Sequence, residues 1–385
     1  RAINTRVGPE YSDTLKAWVQ ELAANGQPVA PTSIGGRIVE AMRRNATVAI
    51  MGLSYTTMVA QVFGLANSID ALSRQPGGGY SPRRGTTAML GGLVRYLSAP
   101  ATVRRQVFAA SGEMRHRLQN TDRDIRHALQ QLSGKKGAWS QMQRFSMLGI
   151  AGIQLYMVDL PTWLAAYDQA IARGATTDEA VDAADNLLRT SQTAGGIKDL
   201  AAIQRERGVM TALTMFYSYF NLLYNLQRQA LGNVGSARDV PQLAARAFIL
   251  MAIPILVDAL VKRQGPDEDK DETAAGWFAQ KAAVYALSSL PFLRDLAGMA
   301  EGFGYKPTPL DGFGKALGAT VKGIAQAIDN GELDAKALKA MVSALGFGAG
   351  VPATQVNRVI SAADAMFEGE DVGVYDFLAG PKKDK

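Results

Sequence analysis

Long stretches without a charged residue constrain this chain more than any other feature of its sequence. Asn45 to Ile69, between Arg44 and Asp70, holds 25 uncharged residues, and Gly208 to Gln227, between Arg207 and Arg228, holds 20. Three shorter windows follow: Phe145 to Val158 with 14, Ala247 to Val257 with 11 and Ala282 to Leu293 with 12. Apolar surface of this extent must be covered by protein or by lipid. A helix crossing hydrocarbon needs about 20 mostly apolar residues, so only the first two windows have the length. Both contain several hydroxyl and amide residues, such as Ser54, Thr57, Asn67 and Ser68 in the first and Thr211, Ser218, Asn221 and Asn225 in the second, which makes each a marginal single span. Two readings follow: core helices of a large soluble bundle, or helices that are soluble in one state and enter a bilayer in another. On the second, Ser146 with Gly149 to Gly152 forms a small-residue face for close helix contact, and Arg43, Arg44 and Arg228 flank the windows as interfacial anchors.

The secondary-structure signal is helical almost throughout, since Ala, Leu, Gln, Arg and Met are abundant and no run keeps a period of two. The expected fold is all-α: an irregular multi-helix bundle with several long apolar helices and a Gly/Pro-rich, more mobile C-terminal part. Punctuation divides it into four segments. Residues 1–75 hold N-terminal helices, with a long apolar helix capped by Ser33 and running through Met51 towards Leu72. Residues 76–137 open with a Gly/Pro loop, 75–85, that reads as a hinge and carries Arg83 and Arg84; charged helices follow. Residues 138–264 form a central apolar bundle, with Pro161 as a break or kink in a helix from Trp139 to Arg173, and a cap at Thr176 or Thr177. Residues 265–385 comprise an acidic linker, a helix to Leu290 and short helices over 316–366. The non-initiator start at Arg1 and the charged tail 382–385 suggest the C-terminal piece of a longer polypeptide.

Enzyme chemistry finds little material. With no cysteine and two histidines there is no thiol nucleophile, no Cys/His zinc site and little for a histidine-ligated metal or a Ser-His-Asp triad. Gly77 to Gly79 is followed by Tyr80-Ser81-Pro82 rather than by the Lys-Ser/Thr of a phosphate loop. The acids of 267–272 lack the spacing and glycine of a calcium loop and read as a solvated linker. No catalytic residue, metal, cofactor or small-molecule substrate is expected. Between Arg104 and His127 six arginines face three acids; Arg104, Arg105, Arg115, Arg123 and Arg126 are the candidates for contact with phosphates or anionic headgroups, against an ordinary solvated helix. A formal net charge of +6 over 385 residues is modest for a dedicated DNA binder.

The stretch 215–225 carries an aromatic stripe: Phe216, Tyr219, Phe220 and Leu223 fall at i, i+3, i+4 and i+7 and share one helix face. That face packs in a core or meets membrane or partner helices. With Met51, Met58, Phe63, Leu148 and Ile153 from the other windows, these are the candidate membrane and helix-packing residues.

The segment from Arg189 to Arg205, containing Lys198-Asp199-Leu200-Ala201-Ala202-Ile203-Gln204-Arg205, followed by Phe216-Tyr217-Ser218-Tyr219-Phe220-Asn221, resembles the C-terminal region of tailed-phage ejection (internal core) proteins and the related large polyvalent proteins. The resemblance covers about Asp185 to Asn233 well and the rest loosely. It implies a protein held in the capsid interior that leaves with the genome and assembles in the host cell envelope. There it helps form a channel for DNA across the inner membrane. It also implies self-association as a ring-like homo-oligomer, with other ejection proteins, inner-membrane lipid and DNA passing non-specifically as partners. The alternative is a soluble structural domain of a virion core, or of a giant virion RNA polymerase, that never meets lipid.

Overall fold

The computed structural model describes residues 45–74, 79–119, 132–134, 136–193, 217–232, 239–266, 272–288 and 335–381, with a few isolated positions between them. The fold is all-α, and the described residues contain no strand beyond an isolated bridge between Arg74 and Tyr80. The proposed caps at Ser33 and the loop at 302–314 lie outside the described residues.

The main core is built by helices Gly64–Ser73, Pro82–Ser98, Leu160–Ala172 and Thr177–Ser191, with Pro100–Ala110 and Gly112–Gln119 closing one side. Leu72, Met89, Tyr96, Val103, Met114, Leu160, Trp163, Leu164 and Leu188 meet there. This core crosses the positions 75/76 and 137/138 at which punctuation divides the sequence. Two smaller clusters sit beside it. Leu223 of helix Tyr217–Gly232 packs with Ile255, Ala259, Trp277 and Tyr285; Val48 packs with Met147 and Ile150.

Three local features depart from the sequence reading. The first apolar window is not one helix. It breaks at Gly52-Leu53-Ser54, where Asn45–Met51 and Tyr55–Ser73 meet at 89°. Leu53 adopts φ 57, its N–H donates to the buried Ser146 Oγ at 2.6 Å, and Ser54 caps the next helix. Ser146 of the small-residue face thus bonds to the chain break. Secondly, Arg83 and Arg84 belong to a helix: Ser81 caps Pro82–Ser98, and proline at the first turn suits a helix start. Thirdly, the C-terminal helices Ala335–Ala349 and Ala353–Phe367 have 15 residues each, longer than the short helices expected.

Proline inside the two longest helices is accommodated by the same device. A π turn, Gln154–Asp159, precedes Pro161, and another, Phe248–Ala252, precedes Pro254. Proline lacks an N–H and its ring collides with the carbonyl four residues back. A π turn widens the helix there and moves that carbonyl away. The helix from Ala138 to Ala172 therefore continues through Pro161. Downstream, Thr176 and Glu179 form the capping box that the sequence announces.

Helix Pro82–Ser98 reaches its neighbours through glycine. A Cβ at Gly92 would stand 2.2 Å from the Pro161 carbonyl oxygen, and one at Gly85 2.1 Å from Ser73 Oγ. Gly91, next in sequence, has nothing within 4 Å. Gly92→Ala should therefore lower unfolding stability by about 1–3 kcal/mol through overpacking. Gly91→Ala should be neutral or raise it by up to about 1 kcal/mol through the lower backbone entropy of alanine. Chemical denaturation of both variants checks the difference; equal effects would refute the close-approach account.

Candidate functional site

Two described helices are long and apolar enough to cross a membrane, Ser140–Ala172 and Val240–Lys262, and the bent pair Asn45–Met51 with Tyr55–Ser73 qualifies only if taken as one span. The sequence judges the windows at 145–158 and 247–257 too short. They are bounded by Asp159, Arg246 and Asp258, and those charges turn out to lie inside continuous helices. A charge-free window therefore underestimates a helix whose charges are neutralised by partners. The window 208–227 is partly outside the described residues.

The two helices differ in cover. Within Ser140–Ala172 the most apolar window is 56% buried; within Val240–Lys262 it is only 33% buried. Phe248, Leu256 and Leu260 point outwards from the latter, Leu260 with 78% of its surface exposed. On Ala138–Ile153, Met142, Phe145 and Leu148 form an exposed row.

Arg246 is the point at which Val240–Lys262 is tied to the core. Its guanidinium is 1% exposed and forks onto Asp70, itself fully buried, with Nε to Oδ1 at 2.9 Å and Nη2 to Oδ2 at 3.1 Å. Arg74 donates to the same carboxylate at 2.6 Å and the Tyr80 hydroxyl at 3.0 Å. Planar two-point geometry is what makes a guanidinium the favoured partner of a carboxylate away from water. Burial, reinforced by the Asp70 carboxylate, pushes the Tyr80 phenol well above the usual tyrosine range.

A second polar node lies in the main core. Arg117 donates to Glu113 Oε1 and to Asp159 Oδ2, each at 3.1 Å, and to the Thr193 carbonyl at 2.9 Å. Glu113 also accepts from Arg189 at 2.8 Å. Gln154 donates to Asp159 at 2.7 Å, and Gln192 to the Gly64 carbonyl and Ser68 Oγ, each at 2.7 Å. Asp185 accepts from Trp163 Nε1 at 2.7 Å and from Ser111 Oγ at 2.5 Å. Every charge in this node has a partner, and the stretch 113–117, read from sequence as part of a solvated mixed-charge helix, has Glu113 and Arg117 buried. A third set joins the two ends of the described chain. Asn45 donates to the Gly348 carbonyl at 2.6 Å, Arg358 to Thr56 Oγ1 at 2.6 Å, and Arg263 to Asp376 at 2.8 Å.

The predicted contact residues scatter. Met51 and Met58 are half-buried against the Val48–Met147–Ile150 cluster, Phe63 and Ile153 are half-buried, and Leu148 is exposed. Of the aromatic stripe, Leu223 is fully buried against Ile255 and Trp277. Phe216 and the side chains of Tyr219 and Phe220 lie outside the described residues. Of the anion candidates, Arg115 caps helix Pro100–Ala110 through the Phe108 and Ala109 carbonyls at 2.9 and 2.6 Å, and Arg104 stacks over Tyr156 at 5.4 Å. Both are used by the fold: Arg115 satisfies orphan carbonyls at a helix C-terminus, and Arg104 lies over an aromatic ring. Arg105 is exposed, and Arg123 and Arg126 lie outside the described residues. Asp70, Asp159, Arg117 and Arg246 were missed as a group. For Asp70, Asp159 and Arg246 the signal is a lone charge interrupting apolar sequence, whereas Arg117 sits among other charges.

Truncating one partner of Asp70–Arg246 should cost more than removing both. Asp70→Asn or Arg246→Met alone should lower stability by about 3–5 kcal/mol by leaving a buried charge uncompensated, and the double variant should recover part of that loss. A double-mutant cycle measured by denaturation tests this, and simple additivity would refute it. Because the Tyr80 pKa is raised on folding, only the unfolded chain releases that proton readily. Stability from Tyr80 is therefore full below a pH of about 10 and is lost as pH rises above it. Tyr80→Phe should flatten that alkaline decline; an unchanged slope would show that Tyr80 ionises freely in the folded chain.

No protein-family model, curated protein or solved structure matches this chain.

Proposed function

We propose that this chain is a non-catalytic part of a phage ejection protein that enters the host cell envelope and helps form a channel for genome passage across the inner membrane. The observation that carries the reading is helix Val240–Lys262. It is long enough to span, only a third of its most apolar window is buried, and Phe248, Leu256 and Leu260 face outwards. Exposed apolar surface on this scale marks an interaction or membrane site. Its interior charge, Arg246, is neutralised by Asp70, so the helix is stored against the bundle with that charge compensated. The resemblance at 189–205 and 216–221 supplies the biological setting: capsid interior before infection and inner membrane afterwards, with self-association, other ejection proteins, lipid and passing DNA as partners. The chain acts as wall material and takes no small-molecule substrate or cofactor.

One observation favours a soluble structural domain of a virion core or giant virion polymerase instead. Helix Ser140–Ala172 has over half of its most apolar window buried and holds Asp159 in a closed polar network.

Reconstitution separates the two. The 385-residue chain should float with vesicles of phosphatidylethanolamine and phosphatidylglycerol, resist carbonate extraction, protect the 240–262 segment from protease and give discrete conductance steps in planar bilayers. Leu256→Arg with Leu260→Arg should lower carbonate-resistant protein at least about tenfold, given a cost of about 2.5–3.5 kcal/mol for each arginine placed mid-membrane. Complete extraction of the unsubstituted chain would leave the soluble reading standing.

A further inference from the structure

We propose that the outer face of helix Pro82–Ser98 is a docking surface for an anionic bilayer, by which the folded chain meets lipid before any helix crosses it; this rests on the membrane-entry reading above. From Ala71 to Gly112 the chain has six arginines and no acidic residue, a charge equal to the formal +6 of the whole chain. Of the six, Arg74 and Arg95 pair with Asp70 and Asp168, and Arg83, Arg84 and Arg105 are exposed.

The helix is two-sided. Gly85, Met89, Gly92 and Tyr96 are buried against the core. On the opposite side Arg83, Thr87, Leu90, Val94 and Leu97 are exposed, spaced by four, three, four and three residues, so they form one stripe about 21 Å long. Leu90, Val94 and Leu97 are each more than half exposed. Arg84 and Arg95 lie along one flank, Arg84 exposed and Arg95 paired with Asp168 at the surface.

Cationic residues beside a row of large apolar side chains suit a helix lying in the plane of the headgroups. The arginines meet lipid phosphates, and Leu90, Val94 and Leu97 enter the acyl boundary. Nucleic acid would reward the arginines and leave the apolar row without a partner. A second copy meeting the stripe face to face would set an acid-free arginine segment against itself.

The chain lacks cysteine, so a single one can be labelled cleanly. Val94→Cys carrying an environment-sensitive fluorophore should shift to the blue with vesicles containing about a third phosphatidylglycerol. It should shift little with phosphatidylcholine alone, and less in high salt. The same label at Asp182→Cys, on an exposed position of another helix, should not shift. Flotation with the anionic vesicles should fall at least about tenfold for Leu90→Ser/Val94→Ser/Leu97→Ser, and likewise for Arg83→Glu/Arg84→Glu. Circular dichroism melts establish that these surface variants stay folded, and the Val94 label reports independently if one does not. If the unsubstituted chain floats and the serine variant floats equally, the docking face is elsewhere while membrane entry stands. If the unsubstituted chain binds no vesicle, both ideas fall. Retardation of duplex DNA that is lost with the glutamates, without lipid binding, would assign the face to nucleic acid. A lipid-free dimer dissolved by the serines would assign it to a second copy. Either result overturns the proposal.

Discussion

The buried contact between Asp70 and Arg246 sets the terms for the rest of the molecule. It joins residues 176 apart in sequence and lies in a place water does not reach. An isolated charge there would cost several kcal/mol, so Arg246 depends on Asp70, which Arg74 and the Tyr80 hydroxyl also contact. That dependence fixes which side of Val240–Lys262 turns inwards and leaves Phe248, Leu256 and Leu260 outwards. The charge contact orients the helix, and its inward side also packs through Ile255 and Ala259 against Leu223, Trp277 and Tyr285. This apolar helix is thereby held in place with one side still exposed.

The other polar contacts obey the same logic at different depths. Arg117 spends its guanidinium on two carboxylates and a backbone carbonyl, which knits Gly112–Gln119 to the π turn before Pro161 and to the end of Thr177–Ser191. At the surface of the bundle, the helices from Ala335 to Ala379 bond to the break at 52–54 and to the end of helix Ile253–Lys262. A chain with no cysteine thus gains specificity from paired buried polar groups beside its apolar core.

Helical class and the cap at Thr176 were legible because they depend on local periodicity and on short-range caps. The break at Leu53 was not. Its cause is Ser146, 93 residues away, which receives the Leu53 N–H in a left-handed conformation that nothing in the local sequence requests. The charge-free windows were a sound guide to apolar surface and a poor guide to helix length. Asp159 and Arg246 look like boundaries in one dimension and prove to be interior residues with distant partners. Arg104 and Arg115, read as ligand-contact candidates, turn out to be engaged by the fold for the converse reason. Their side chains are long enough to curl back onto Tyr156 and onto helix carbonyls, a choice that composition alone does not reveal.

The π turns before Pro161 and Pro254 have a geometric consequence beyond sparing a proline. Each amounts to one residue added to the winding, and one residue is about 100° of rotation. The upstream half of each helix is therefore turned relative to the downstream half, as if the rod had been cut and reset on its axis. Excision of a single amino acid from Gln154–Asp159 would swing Phe145 and Leu148 by more than a quarter circle while Trp163 kept its seat. In a protein whose outside and inside must be sorted along one continuous rod, the phase offset is where that sorting is encoded.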